Sequence, residues 1–288
     1  MSAQAKPASN PISDASLVEL GTPPHPGARS IARAQNFVVE WLDSRHTASI
    51  TAESDHEMLL LLPECGAAVR GGGPDTEAPQ ALKARTVCIL PAGRYRIDLD
   101  GVGVATLIAS QRGDLASADI VNDADYTPPD ERIVPYLPGF KRTDDTRRIH
   151  VIDIDKVVPP AGKPRLKMFQ TETLSINWVE YDGPRDRAQL SPHRHINFEQ
   201  GSLSMAGNYV HHLRTPWGEN ANVWREDRHQ QAGLASLLVV PVLLIHTTEG
   251  VGPGKHLLID IFSPPRRDFI ASGWVANAAD YADPTPKA

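Results

Sequence analysis

Histidine is concentrated in one part of the sequence, where seven of the 11 histidines lie between His193 and His256. His193 and His195 are two positions apart, and Glu199 follows four positions after the second of them. Successive side chains of a strand alternate between its two faces, so a strand here would put these three side chains, with Asn197 between them, on one surface. Two imidazoles and a carboxylate on one surface are a donor set that suits a divalent transition metal.

His246 is a fourth candidate ligand, because it directly follows an apolar run that Pro241 interrupts. If that run pairs close to the first strand, three imidazole nitrogens and one carboxylate oxygen converge. Iron, manganese, nickel, copper and zinc accept such donors, and open coordination positions would admit water, oxygen or a chelating substrate. A single histidine on a strand is more often an ordinary polar residue, but this combination of spacings is far more specific. The sequence therefore predicts one divalent metal ion per chain.

Short apolar segments separated by turn residues must position these side chains. Their spacing is typical of a β-sandwich or barrel. The first series of predicted strands comprises 37–41, 58–62, 86–90, 95–99 and 104–109, and the second comprises 149–158, 174–181, 193–199, 209–213, 237–245 and 257–262. Helix patterns are weak and confined to 76–84 and 269–281. We expect an all-β chain with few short helices.

A weak internal repeat divides the chain into two similar halves. An apolar strand, a proline, a polar residue five positions later and a Gly-Val-Gly turn begin at Val87 and again near Leu238, an offset of about 150 residues. Two copies of one β module explain this pattern most simply. The predicted organisation is a flexible N-terminal tail (1–30), a first barrel (31–113), a connector (114–148), a second barrel (149–275) and a C-terminal tail (276–288).

The spacing His193-x-His195-x3-Glu199 resembles the first motif of the cupin family, and Pro241-x4-His246 resembles the second. The resemblance covers about 240 residues of the chain and is strongest in the second half. It implies two jelly-roll β-barrels in tandem, a bicupin. It also implies that His193, His195, Glu199 and His246 are the metal ligands of the second barrel.

Some motif positions depart from the family pattern. The final glycine of the first motif stands one residue late, at Gly207, and Leu243 replaces an internal glycine of the second motif. These positions are not ligands, so the departures bear on the shape of the loops. The resemblance also makes iron the first expectation for the metal, with manganese, nickel, zinc and copper as alternatives.

The first half resembles a degenerate cupin. Arg96 stands where the second motif would have its histidine, and Glu57 matches the glutamate of the first motif. Counting back from that glutamate places Thr51 and Glu53 at the two histidine positions. An arginine does not lose its proton to bind a metal. We therefore expect the first barrel to hold no metal.

The segment between the two motifs supplies further candidates. His211 and His212 are adjacent on one predicted strand, so at most one of them faces the barrel interior. The candidate catalytic residues are His211, His212 and Arg214. The candidate substrate-binding residues are Asn197, Trp217 and Trp224, with ordinary packing as the alternative for the tryptophans. Asp260 is expected to be structural, with a partner such as an arginine.

Composition argues against several classes of protein. The net charge is −6 and the basic residues do not cluster, which argues against nucleic-acid binding. The longest apolar run, 234–245, is broken by a proline and is too short for a membrane span. We see no secretory signal at the N-terminus. The two cysteines, Cys65 and Cys88, are expected to be buried thiols rather than a disulfide, which favours a cytoplasmic protein.

Three functional hypotheses remain open. The first, favoured by the resemblance, is a metal-dependent dioxygenase acting on an enol, diketone or phenol. The second is a non-redox isomerase, lyase or hydrolase that acts on a sugar acid or hydroxy acid at the same metal site. The third is a bicupin that binds a small molecule without turnover. A small-molecule substrate and a homodimer are the expected partners, since strand-rich modules with open edges pair readily.

Overall fold

The structure is a computed structural model that describes residues 11–23, 29–72, 78–126, 128–144 and 148–284. The strands of the first half are β1 (Ser16–Glu19), β2 (Ser30–Arg33), β3 (Val38–Asp43), β4 (Ser49–Ser54), β5 (Met58–Leu62), β6 (Gly66–Gly71), β7 (Gln80–Leu82), β8 (Thr86–Leu90), β9 (Gly93–Asp100), β10 (Val104–Ala109) and β11 (Lys141–Arg142). The later strands are β12 (His150–Asp153), β13 (Met168–Gln170), β14 (Ser175–Asp182), β15 (Gln200–Ala206), β16 (Asn208–Arg214), β17 (Arg228–Ala232), β18 (Ser236–Val240), β19 (Ile245–Val251), β20 (Lys255–Phe262) and β21 (Tyr281–Ala282).

Helices are few, as predicted. The described residues contain one α-helix, α1 (Arg267–Ala271), which overlaps only the start of the range 269–281 predicted to be helical. Short 3-10 helices occupy 117–119, 123–126, 154–156, 187–189, 221–223 and 278–280. The helix predicted over 76–84 is wrong for its described part, because Gln80–Leu82 forms a strand. The all-β fold class is confirmed.

Two six-stranded sheets carry the fold, and their strand orders match. The first sheet runs β12-β8-β5-β10-β3-β2, and the second runs β1-β18-β15-β20-β14-β13. Corresponding strands occupy corresponding places, so the repeat inferred from the sequence is a repeat of architecture. Each large sheet is accompanied by a smaller one, β4-β9-β6-β7 in the first half and β17-β16-β19 in the second.

The two halves exchange their outer strands. β1 precedes the first barrel in the sequence but pairs with β18 of the second, where Ser16 lies opposite Val239. β12 falls within the range predicted for the second barrel but pairs with β8 of the first. The N-terminal segment is held because its apolar side chains are covered, with Val18 and Leu20 both buried. The prediction of a flexible tail over 1–30 is therefore wrong for the described part of that segment.

The C-terminal segment is also attached to the rest of the chain. β21 pairs with β11 of the connector. The Tyr281 hydroxyl donates a 2.8 Å hydrogen bond to Glu57 Oε2 in the first half. Arg142 Nη1 of the connector lies 2.9 Å from Glu57 Oε1. The part of the predicted tail that precedes residue 283 is thus anchored by strand pairing and a hydrogen bond, while the ion pair fixes the connector strand with which it pairs.

Alternation along two equivalent strands explains why the barrels differ inside. Leu59 of β5 and Leu203 of β15 belong to one apolar cluster that both halves share. The opposite face of β5 carries Met58, Leu60 and Leu62, which fill the first barrel together with other apolar side chains. The equivalent face of β15 carries the buried polar residues Gln200, Ser202 and Ser204. The second barrel therefore has a polar interior where the first has an apolar core.

Two further observations bear on the sequence predictions. Cys65 and Cys88 are both buried and are not joined to each other, as expected. In the part of the chain that the structure describes, we find no helix with the length and apolar character needed to cross a membrane.

Candidate metal centre

Three histidines from the two motifs converge in the second barrel. His193, His195 and His246 each bring a ring nitrogen to within 4.8 Å of the others. The backbone fixes this approach, because His193 and His246 form an antiparallel bridge with N–H to O distances of 3.0 and 2.8 Å. The His195 carbonyl accepts a third hydrogen bond from the Leu243 N–H at 2.7 Å. The pairing of the two motifs that the sequence required is present.

Backbone carbonyls orient two of the rings. His193 Nδ1 lies 2.9 Å from the Ser191 carbonyl oxygen, and His246 Nδ1 lies 3.1 Å from the Leu244 carbonyl oxygen. A carbonyl only accepts, so each Nδ1 carries the proton and each Nε2 is left with a free lone pair. Metal-binding histidines are fixed in this way by a partner on the second ring nitrogen. Both rings are thus oriented for metal binding.

Burial keeps two of the imidazoles neutral. Burial, with a smaller contribution from the neighbouring His193, lowers the pKa of His195 to about 4 and the pKa of His246 to about 3. Only neutral imidazole has a lone pair to give to a metal. At pH 7 protons therefore do not compete with a metal ion at these two positions.

Gln200 adds an oxygen to the cluster. Its Oε1 lies 2.9 Å from His195 Nε2 and 3.2 Å from His246 Nε2. Its amide nitrogen donates to Ser202 Oγ and to Asp260 Oδ1, both at 3.1 Å, which fixes the carbonyl toward the histidines. His246 Nε2 is an acceptor, so it and Gln200 Oε1 are two acceptors that face each other without a proton between them. A bound cation would satisfy both, so the residues present fit a metal ion.

Glu199 lies away from this cluster, contrary to the sequence prediction. The chain bends at 196–198 and β15 begins only at Gln200, so the alternation expected of a strand over 193–199 does not apply. Glu199 Oε2 instead accepts a 2.7 Å hydrogen bond from the Gln35 N–H of the first half. The carboxyl borders a separate cavity with Tyr126, and burial raises its pKa to about 7.

The first half repeats this arrangement without the histidines. Glu57, which occupies the equivalent place, accepts a 3.0 Å hydrogen bond from the Glu172 N–H of the second half. Thr51 lies opposite Arg96 in the strand register, as His193 lies opposite His246. The alignment of the degenerate motif thus agrees with the structure. In the first half, where the motif positions carry no histidines, Glu57 is still held by the backbone of the second half. This glutamate position is therefore a contact between the halves.

His193 and His246 line a pocket of about 370 Å³. Asn177 and Asp260 line it beside Gln200, and Asp260 accepts hydrogen bonds from Gln200 Nε2, from Ser202 Oγ at 3.3 Å and from Asn177 Nδ2 at 3.5 Å. The partners of Asp260 are therefore amides and a hydroxyl, in place of the arginine suggested by the sequence. Burial raises the pKa of Asp260 to about 6.

The candidate catalytic residues lie outside the lining of this pocket. His211 is buried and bonded through Nδ1 to Thr248 Oγ1 at 2.9 Å, while His212 Nε2 lies 2.9 Å from Glu249 Oε2. These neighbours on β16 face opposite ways, as predicted. Because Leu213 pairs with His246, His211 is the one on the inner face of the barrel. Arg214 forms an ion pair with Asp227.

The candidate substrate-binding residues also lie elsewhere. Trp217 and Trp224 stack on each other with ring centroids 4.7 Å apart, and they are 71% and 43% exposed. Asn197 sits in the bend, where its carbonyl oxygen accepts from the Val134 N–H at 2.9 Å. None of the three lines the pocket beside the histidines. The packing alternative describes the two tryptophans better.

Sequence reasoning missed several residues of the pocket. The sequence did contain a signal for Gln200. If the end of the first motif is shifted by one residue, it ends at Gly207, and Gln200 takes the position that was assigned to Glu199. Lys163, Arg165 and Arg185 line the same pocket but come from loops before β13 and after β14. Nothing in their local pattern connects them to the histidine motifs.

Comparison with known proteins identifies similar folds, without a match to a protein family or a curated protein. No protein-family model matches the sequence, and no curated protein matches it. Among solved structures the chain is similar to a single-residue mutant of Bacillus subtilis oxalate decarboxylase, at 9% identity and a TM-score of 0.51, over 91% of this chain and 79% of that one. It is also similar to AerE from Microcystis aeruginosa, at 7% identity and a TM-score of 0.50, over 88% and 98%.

A third similar structure is the coconut allergen cocosin, at 11% identity and a TM-score of 0.48, over 88% of this chain and 86% of that one. The likeness to the first two of these structures, at identities this low, speaks for a shared fold and leaves the activity open. The matched strand orders of the two halves agree with that likeness. The protein has the bicupin fold, two cupin barrels in one chain, with its histidine cluster in the second barrel.

Proposed function

We propose that the protein is a metal-dependent enzyme that binds a small organic substrate through oxygen at the three-histidine cluster. The observation that carries the proposal is the convergence of three ring nitrogens within 4.8 Å beside a pocket of substrate size. His193, His195 and His246 would hold the ion. When bound, a divalent ion supplies Lewis-acid chemistry, which polarises a carbonyl or stabilises an oxyanion.

The donor set of this chain is neutral. Three imidazoles and the Gln200 carbonyl carry no negative charge, and Asp260, a carboxyl of the pocket lining, accepts a hydrogen bond from the amide nitrogen of Gln200. Such a set leaves the charge of a divalent ion to be balanced by the substrate. It therefore favours a substrate whose chelating oxygens are anionic, such as a carboxylate with a neighbouring hydroxyl or carbonyl.

Asp260 supports proton transfer as the reaction class. Its carboxyl lines the pocket, and donors from three side chains hold it in place. A carboxyl fixed beside a bound carbonyl or hydroxyl compound can accept a proton from it and return the proton to another atom. This favours a non-redox isomerase or lyase, with Asp260 as the acid–base group.

A dioxygenase is the second candidate function. The volume of about 370 Å³ leaves room for a further small molecule beside a substrate of a few carbon atoms. The two candidates differ in a simple observable, since only the dioxygenase consumes oxygen.

Metal analysis of the full-length protein tests the proposal. We expect about one transition-metal ion per chain by mass spectrometry, lost in His193→Ala and in His246→Ala and retained in the matched control His229→Ala, whose ring lies outside the cluster. Turnover of hydroxy and keto acids under nitrogen, lost in Asp260→Asn with metal content unchanged, would support the non-redox enzyme. Oxygen uptake would support the dioxygenase. A wild type that binds no metal after reconstitution would refute both.

A further inference from the structure

Two arginines at the pocket lack the partners that most arginines of this chain have. Arg85 contacts Asp155 and Glu180, and Arg112 contacts Glu40 and Asp114. In the described part of the chain, by contrast, Arg165 and Arg185 form no ion pair. Arg165 lies over the Tyr181 ring at 5.8 Å, and Arg185 donates to the Gln189 carbonyl oxygen at 3.3 Å. Both line the pocket that His193 and His246 also line.

The two guanidinium groups repel each other. Partial burial, together with the positive charge of Arg185, lowers the pKa of Arg165. Lys163 adds a third positive charge to the lining, and its ammonium lies 4.9 Å from the Trp274 ring. Among the described residues, Asp260 is the one carboxylate in this lining, and its hydrogen bonds are to Gln200, Ser202 and Asn177 rather than to these cations. Three cations gathered at one pocket favour an anion in it.

Other residues of the same lining offer different chemistry. His193, His246, Gln200 and Asp260 offer metal ligands and an acid–base group, whereas Arg165 and Arg185 offer guanidinium groups. A guanidinium binds a carboxylate through two parallel hydrogen bonds, which gives orientation as well as affinity. A ligand that binds both the metal and the guanidinium groups needs chelating oxygens at one end and a second anionic group at the other.

We propose that Arg165 and Arg185 bind a carboxylate of the substrate, so that the substrate class is a small acid with two carboxylates or with one carboxylate remote from its chelating oxygens. This inference rests on the proposed function, because the chelating end of the molecule is assigned to the three-histidine centre. Lys163 attracts the same anion over a longer range. A neutral enol, diketone or phenol would leave both guanidinium groups unsatisfied.

Isothermal titration of the full-length, metal-loaded protein with succinate and with butyrate tests the inference. The two acids have the same number of carbon atoms and differ by one carboxylate. We expect succinate to bind at least tenfold more tightly than butyrate, since a charge-assisted bidentate contact exceeds a tenfold gain in affinity. Arg165→Gln and Arg185→Gln should each remove most of this preference, with butyrate affinity and metal content unchanged.

Arg187→Gln is the matched control. It removes the same charge from the same loop as Arg185, but Arg187 contacts Glu249 and does not line the pocket. It should keep the preference for succinate. Equal affinities of wild-type protein for the two acids, or a preference that persists in both pocket variants, would overturn the inference while the metal data still support the proposed function. A wild type that binds no metal would overturn both.

Discussion

Glu199→Gln distinguishes a metal ligand from a contact between the two halves. The carboxyl is buried, and its Oε2 accepts a 2.7 Å hydrogen bond from the Gln35 N–H. A glutamine oxygen can accept the same hydrogen bond, so the variant keeps the contact and removes only the titration. If the structural assignment is right, the variant folds, binds metal as the wild type does and is more stable at alkaline pH.

The magnitude follows from the pKa of the carboxyl. Burial raises the pKa of Glu199 from 4.5 to about 7, so between these values the folded chain holds a proton that the unfolded chain has released. The folded state binds more protons, so the free energy of unfolding falls as the pH rises through this window. At 1.36 kcal/mol for each pH unit, the wild type loses about 3 kcal/mol by pH 8 that Glu199→Gln keeps.

Denaturant unfolding of both proteins at pH 4.5, 6 and 8 measures this difference, since all other titrating groups are common to the two. Metal content by mass spectrometry is measured on the same samples, with His195→Ala as the variant that should lose the ion. Loss of metal in Glu199→Gln, together with a pH profile parallel to that of the wild type, would refute the reasoning and restore Glu199 as the ligand that the cupin motif implies.

Four further predictions concern the anchoring of the fold and the surroundings of the site. Leu20→Ala should cost about 2–4 kcal/mol of unfolding free energy by denaturant titration, because Leu20 is buried; Leu234→Ala, at a residue 51% exposed, should cost little. Arg142→Met should lower the free energy of unfolding by about 3 kcal/mol, because it leaves the buried Glu57 carboxylate without its ion-pair partner. Lys141→Met, at an exposed neighbouring residue, should leave the free energy of unfolding nearly unchanged in the same titration. Gln200→Leu should weaken metal binding about tenfold in competition with a chelator, and an unchanged affinity would exclude Gln200 from the centre. The homodimer stays a prediction, and light scattering should give twice the chain mass of 31.4 kDa.

The histidine cluster could be predicted because its information is local. His193 and His195 are separated by one residue, and Pro241 and His246 flank the short turn between β18 and β19, so two short motifs needed only to meet. Glu199 could not be placed by the same reasoning. A period of two holds only while the chain is extended, and the bend at 196–198 breaks it.

The two arginines of the pocket could not be predicted from the sequence, for a different reason. Arg165 and Arg185 lie in loops, where position depends on how two distant segments fold over the barrel. The exchange of outer strands was hidden too, because a strand's partner is set by the whole sheet. The four residues of β1 show an ordinary pattern that suits either half.

The exchanged strands make the two barrels dependent on each other. A chain cut within the connector would leave the second barrel without β1 and the first without β12. Each fragment would then present the unpaired backbone of β18 or β8 to solvent, and such edges recruit other chains. If one half unfolds in the uncut chain, the same edge strand of the other half becomes exposed. We therefore expect the two barrels to unfold as one cooperative unit, in which the first barrel, whose motif positions carry no histidines, contributes to the rigidity of the barrel that carries the histidine cluster.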